Sequence, residues 1–152
     1  MTGGNPLPMP AETFIERAVN YTTEVFQKFR KTVRGGNNIF SADGRLLAFK
    51  KQVIKKITIP NDMIANDAFA YFSTLMLGYQ YKYAKEAIVY FRSPQSLEDQ
   101  LKQNTRFLAA HKRMTYYFPK ELVKNEWKIP LNLLLKELFI QFLKHPFETV
   151  YI

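Results

Sequence analysis

Apolar residues recur at helical spacing in several long stretches and cluster into short runs elsewhere. Phe14, Ala18, Tyr21, Val25, Phe26 and Phe29 fall on such a spacing, which predicts a helix from Pro10 to about Val33. Glu12 and Glu16 lie at its start and Lys28, Arg30, Lys31 and Arg34 at its end, an order that complements the helix dipole. Gly35-Gly36 closes it. Residues 1–9, with Gly3, Gly4, Pro6 and Pro8, read as an extended loop.

In NNIFSADGRLLAFKK, the Asp43-Gly44 pair between two apolar runs predicts a short hairpin. A helix starting in the second run and continuing into KKQVIKKI fits as well. After Pro60-Asn61-Asp62, Phe69, Phe72 and Met76 share a face, with Asn66 as N-cap and Gly78 as the left-handed closing residue. YKY and EAIVYF read as strands ended by Pro94. Ser96-Leu97-Glu98-Asp99 is a capping-box start for a helix reaching about Met114. The last helix runs from Pro130 to about Lys144, with Asn132, Lys136, Gln141 and Lys144 along one side and a broad Leu/Phe/Ile surface on the other. That surface either packs on the domain or lies in a membrane interface, with lysines and Trp127 near the headgroups.

Composition narrows the chemistry. The 152 residues suit one domain, and 47% hydrophobic residues exclude a disordered chain. There is no cysteine, so disulfides and thiolate metal sites are excluded. The two histidines, His111 and His145, lie far apart, which leaves little for a histidine metal site or a Ser-His-Asp triad. A net charge of +9 favours an anionic partner, whether nucleic acid, anionic lipid or a phosphorylated ligand. The charge comes in small groups, so a solvated basic face is the plainer reading. The N-terminal MTGGNPLPMP has no signal-peptide pattern, and no apolar run is long enough to span a bilayer.

Two sets of residues stand out. Asp67 falls in the first turn of its helix, where amides and dipole favour an ionised carboxylate that can serve as a general base or merely stabilise the helix start. Gln103, Arg106 and Phe107, spaced three and four apart, share a helix face. Arginine offers a planar fork of donors for phosphate, glutamine adds amide contacts, and an aromatic walls a sugar or base. A surface Arg and Gln beside a core Phe is the plainer alternative.

Taken in order, these pieces resemble the second half of a family 2 glycosyltransferase of the membrane-associated cellulose-synthase and hyaluronan-synthase type. The resemblance runs from about Gly3 to Lys112. GGNPLPMP leads into a long helix, and NNIFSADGRLLAFKK is similar to the family's small-residue stretch before an apolar-basic run. NDAFAYFSTLMLGYQYKY is similar to its Glu-Asp helix closed by Gly-Tyr, EAIVYFRSPQS follows, and QNTRF is similar to its Gln-x-x-Arg-Trp motif.

The resemblance implies an α/β fold, the acceptor-side half of a GT-A-like domain, mainly helical with a few short strands. It implies that residues 1–115 form the C-terminal half of a catalytic domain and 116–152 an amphipathic helical segment, membrane-interfacial on one reading. Asp67 takes the place of the base that deprotonates the acceptor hydroxyl. Gln103, Arg106 and Phe107 match positions near the donor diphosphate and acceptor, and Gly44 matches the acceptor-side loop. The expected partners are a nucleotide-sugar donor and a glycan or lipid-linked acceptor, at the cytoplasmic face of a membrane, with no nucleic acid. Transfer is expected to invert the anomeric centre.

Asn66 stands where the family has Glu, and Phe107 where it has Trp. The family's Asp-x-Asp, which holds Mg or Mn with the diphosphate, is absent from the sequence. The chain is therefore expected to be a fragment, inactive alone because the donor and metal half lies outside it. The competing reading is a small basic non-enzymatic module that binds nucleic acid or an anionic membrane surface.

Overall fold

A computed structural model describes residues 1–151. Its sheet is organised around β1 (Thr2–Pro8), flanked by β2 (Leu47–Ala48) and β3 (Lys82–Phe91) in the order β2-β1-β3. The opening segment is thus the central strand and not the expected loop. Its glycines are there because other chain passes close by. A Cβ on Gly3 would lie 2.7 Å from the Ser41 carbonyl oxygen, and one on Gly4 2.6 Å from that of Ala87.

The prolines fit for a different reason. β1 runs parallel to β3, and the Met9 N–H donates to the Phe91 carbonyl at 2.8 Å. Alternation along the strand turns the missing N–H of Pro6 and Pro8 to the opposite edge. There β2 has already ended, since it pairs only with Thr2 and Gly3.

The long first helix, α1 (Phe14–Thr32), starts later than Pro10 because Thr13 is its N-cap. Thr13 and Glu16 form a reciprocal capping box. Arg34, Gly35 and Gly36 all take positive φ in the turn that ends it. The expected hairpin does not form. Ile39–Ser41 is a single 3-10 turn, and the second apolar run enters β2 and then the short α2 (Lys51–Ile54).

The core gathers around α3 (Asn66–Met76), where Phe69, Tyr71 and Phe72 are buried. Met76, expected on that apolar face, is exposed. Ala65, not Asn66, occupies the N-cap. Gly78 has the expected positive φ. YKY and EAIVYF belong to the single strand β3, with an irregularity in its pairing opposite Gly3–Asn5.

Three further helices follow: α4 (Leu97–Tyr117), capped by Ser96, then α5 (Lys120–Glu126) and α6 (Leu131–Lys144). A last turn, α7 (Pro146–Tyr151), lies beside α1. α5 was not apparent from the sequence. It brings Val123 and Trp127 to the α3 core, where Tyr71 donates to Glu126 at 2.6 Å and Arg34 ion-pairs with the same carboxylate.

The helices α6 and α7 meet α1 mainly through Glu137, Gln141, His145 and Glu148, while Asn132, Lys136 and Lys144 stay exposed. Phe14 packs edge-to-face on Tyr151, and Arg17 pairs with Glu148 at 3.6 Å. Tyr21 stacks on His145, Gln141 donates to Glu24 at 3.4 Å, and Lys28 pairs with Glu137. The five α1 residues alternate three and four apart, a heptad seam filled largely with charged and polar groups. Gln141, grouped in the sequence with Asn132, Lys136 and Lys144, is the one of the four that is buried, and it lies in this seam. The apolar face points outward instead: Leu131, Leu135, Phe139, Leu143 and Phe147 are all exposed. Among the described residues, no helix is long and apolar enough to cross a membrane.

Candidate active site

Two of the residues singled out in the sequence meet in space. Asp67 is the second residue of α3, at the positive end of the helix dipole. Its Oδ1 accepts the Ala68 N–H at 2.8 Å, and its Oδ2 accepts the Gly44 N–H at 3.1 Å. Each oxygen keeps a second lone pair for another donor. The carboxylate is half-buried and Gly44 is exposed, so a ligand can reach the pair.

The turn that delivers Gly44 is anchored by its neighbour. Asp43 is buried, accepts from Arg30 at 2.8 Å, and accepts from Arg45 NH1 at 2.9 Å and from the Arg45 amide at 3.0 Å. Arg45 also lies over the Phe91 ring at 3.8 Å. Asp43-Gly44 signalled a hairpin in the sequence. Its role in the structure is a turn clamped by two arginines that aims one backbone N–H at Asp67. Burial pushes the nearby Tyr81 phenol up to about 12, so it remains a donor, to the Ser41 carbonyl at 2.5 Å.

Gln103 and Arg106 occupy a second place. They line an open cleft of about 470 Å³ with Arg92, Gln95, Asp99 and Lys102. Lys102 is paired with Glu98, and Arg92 with Glu12 and Glu16, which leaves Arg106 as the cleft's arginine without a carboxylate partner among the described residues. Arg92 is set firmly. Its partner Glu16 is buried and accepts from the Glu12 and Thr13 amides at 2.7 and 3.1 Å. Those contacts and the Arg92 guanidinium hold the Glu16 carboxyl below the usual carboxylate range, the Glu12 amide having the largest effect. Arg92 and Lys102 escaped the sequence reading. The basic residue ending the strand in YFRSPQS was their available signal.

Phe107 does not line this cleft. It shares an α4 stripe with buried Gln100 and Met114, seven residues to either side, yet is 63% exposed. The inward face of the helix is therefore uncovered at that turn. No hydrogen bond or ion pair joins Gln103, Arg106 or Phe107 to Asp67 or Gly44 among the described residues. The five residues form two groups, one at the start of α3 and one along α4.

Among the described residues, no three His, Asp or Glu side chains gather in a way that would hold a metal ion. The donor set for the Mg or Mn that the resemblance implies is not met by this chain, and no step here runs through one.

The fold is mixed α/β, mostly helical with a three-stranded sheet. The family model for glycosyl transferase family group 2 matches residues 2–145. The chain belongs to that family. No match was found among curated proteins or among solved structures.

Proposed function

We propose that the chain is the acceptor-side half of an inverting glycosyltransferase that works at a membrane surface. Asp67 takes the proton from an acceptor hydroxyl. The hydroxyl oxygen then bonds to the anomeric carbon of a nucleotide sugar as the bond from that carbon to the diphosphate breaks. The diphosphate leaves with the electron pair, and Arg106 and Gln103 offset its charge. The Gly44 turn lies on the acceptor side. A donor-binding half, with its own metal ligands, comes from polypeptide outside these residues.

The observation that carries this reading is the Gly44–Asp67 contact. It joins two residues 23 positions apart that the family resemblance independently puts on the acceptor side. The outward apolar residues of α6, Leu131, Leu135 and Phe139, support membrane association, because Glu137 and Gln141 are the residues used against α1. The nucleic-acid alternative draws on net charge and on exposed aromatics such as Tyr90 and Tyr116, and the family match favours a transferase.

The test is sugar transfer by the purified chain alone and by a complex with a donor-binding half. The chain alone is expected to be inactive, and metal-dependent transfer by it overturns the half-domain assignment. Asp67→Asn in the active complex is expected to abolish transfer while donor binding is unchanged. Retained turnover removes Asp67 from the mechanism.

A further inference from the structure

Lys50, Lys51, Lys55 and Lys56 are all exposed, and among the described residues none is paired with a carboxylate. Three of them, with Gln52, border an open depression of about 510 Å³. No acidic residue occurs between Asp43 and Asp62. Asp43 is consumed by Arg30 and Arg45, and Asp62 by Arg113. The patch therefore carries four uncompensated positive charges, strung over about 9 Å at helical rise.

Its link to Asp67 is through the chain: Lys50 follows six residues after Gly44, whose N–H reaches that carboxylate. Val53 is 1% exposed and pins α2 to the protein. Phe49 and Ile57, on either side of α2, pack on the core cluster that contains Ala68 and Phe69, next to Asp67. The same segment begins at Gly44. The outward face of α6 and α7 belongs to a different part of the molecule, built on α1, so the lysines are not part of that apolar surface.

We propose that this patch binds an acidic glycan, an acceptor chain whose repeated carboxylate or phosphate groups lie along Lys50–Lys56 as its end reaches Asp67. This rests on reading the Gly44–Asp67 pair as the acceptor side. Lysines are mobile point charges that suit a repeating polyanion, whereas a single carboxylate is better matched by a bidentate arginine. A neutral glycan would call for exposed aromatic platforms; residues 50–56 contain none, and the neighbouring Tyr79 is half-buried with Lys56 over its ring at 5.8 Å.

Fluorescence anisotropy of an end-labelled oligogalacturonate with the purified chain tests this without any turnover, so its outcome is separate from that of the transfer assay. The probe is expected to bind at low salt, and a neutral cello-oligosaccharide is not. Lys50→Gln, Lys51→Gln, Lys55→Gln and Lys56→Gln combined should weaken binding at least about tenfold. Lys31→Gln, Lys120→Gln, Lys124→Gln and Lys128→Gln, which remove equal exposed charge elsewhere, should weaken it by less than about twofold. Circular dichroism confirms that both variants fold. Absence of binding, or equal losses in the two variants, overturns the proposal. So does tighter patch-dependent binding of a single-stranded oligonucleotide or of phosphatidylglycerol vesicles.

Discussion

Asp67 Oδ2 accepts the Gly44 N–H at 3.1 Å, which ties the first turn of α3 to the turn before β2. A methyl group at position 44 would sit 3.3 Å from that oxygen and 3.6 Å from the Asp67 Cβ. Gly44 is not among the positive-φ glycines, so alanine brings no backbone strain. Gly44→Ala should displace the carboxylate by a few tenths of an ångström. In the active complex kcat is expected to fall about tenfold, as small misplacements of a catalytic group do. The thermal midpoint should move by less than about 2 °C. A wild-type kcat in this variant would show that the contact does not position Asp67.

The link between α5 and the core has a polar part beside the packing of Val123 and Trp127. Tyr71 is buried and donates to Glu126, and Arg34 adds an ion pair and a bond of 3.2 Å to the Glu126 carbonyl. Burial, then the bond to Glu126, pushes the Tyr71 phenol up. Glu126→Ala strands that phenol and should cost about 2–4 kcal/mol. Tyr71→Phe leaves the Arg34 pair in place and should cost about 1–2 kcal/mol. Urea unfolding of both variants checks the order.

Acid should weaken the α1 capping box. The Glu16 carboxyl is held below its ordinary value of 4.5 in the folded chain. The unfolded chain therefore takes up the proton first as pH falls. The stabilisation is complete above the ordinary carboxylate range and is lost as pH drops through the folded value. Glu16→Gln should be less stable near neutrality, and its deficit should shrink from about pH 7 to about pH 3 in urea midpoints. A deficit that stays constant would mean Glu16 stabilises by packing and not by charge.

Outward apolar residues of α6 give a clean separation of binding from folding. Leu135 and Phe139 are 57% and 63% exposed. Leu135→Glu with Phe139→Glu should change stability by no more than about 0.5 kcal/mol per site. Co-sedimentation with anionic vesicles should fall severalfold. Unchanged sedimentation would rule out this face as the anchor.

Local chemistry was legible in the sequence where one short segment decides it. The stop at Gly35-Gly36, the left-handed Gly78 and the Ser96 cap follow from side-chain and backbone rules within a turn. β1 was not legible, because its glycines and prolines answer to Ser41, Ala87 and a strand edge far away in the chain. Asp43-Gly44 gave the right turn and the wrong partner for the same reason: Arg30 and β1, not a hairpin mate, decide where it goes. At the candidate site, Asp67 and the α4 stripe could be named from spacing and resemblance. The clamp of Arg30 and Arg45 on Asp43, and Arg92 beside Arg106, required three dimensions. For α6 the sequence left two orientations open, since an amphipathic pattern does not say which face meets a neighbour. The α1 heptad of Arg17, Tyr21, Glu24 and Lys28 met it through Glu137 and Gln141 and left Asn132, Lys136 and Lys144 exposed along with Leu135 and Phe139.

That choice has a practical consequence at the bench. Basic proteins are routinely washed in strong salt to strip adhering nucleic acid. Here the same wash screens the Arg17–Glu148 pair that helps fasten α7, while the Lys28–Glu137 pair, with Glu137 buried, is shielded. Strong-salt preparations should therefore be clipped faster by trypsin near Lys144. A low-salt preparation keeps the Arg17–Glu148 pair, and is the one in which vesicle binding should be measured.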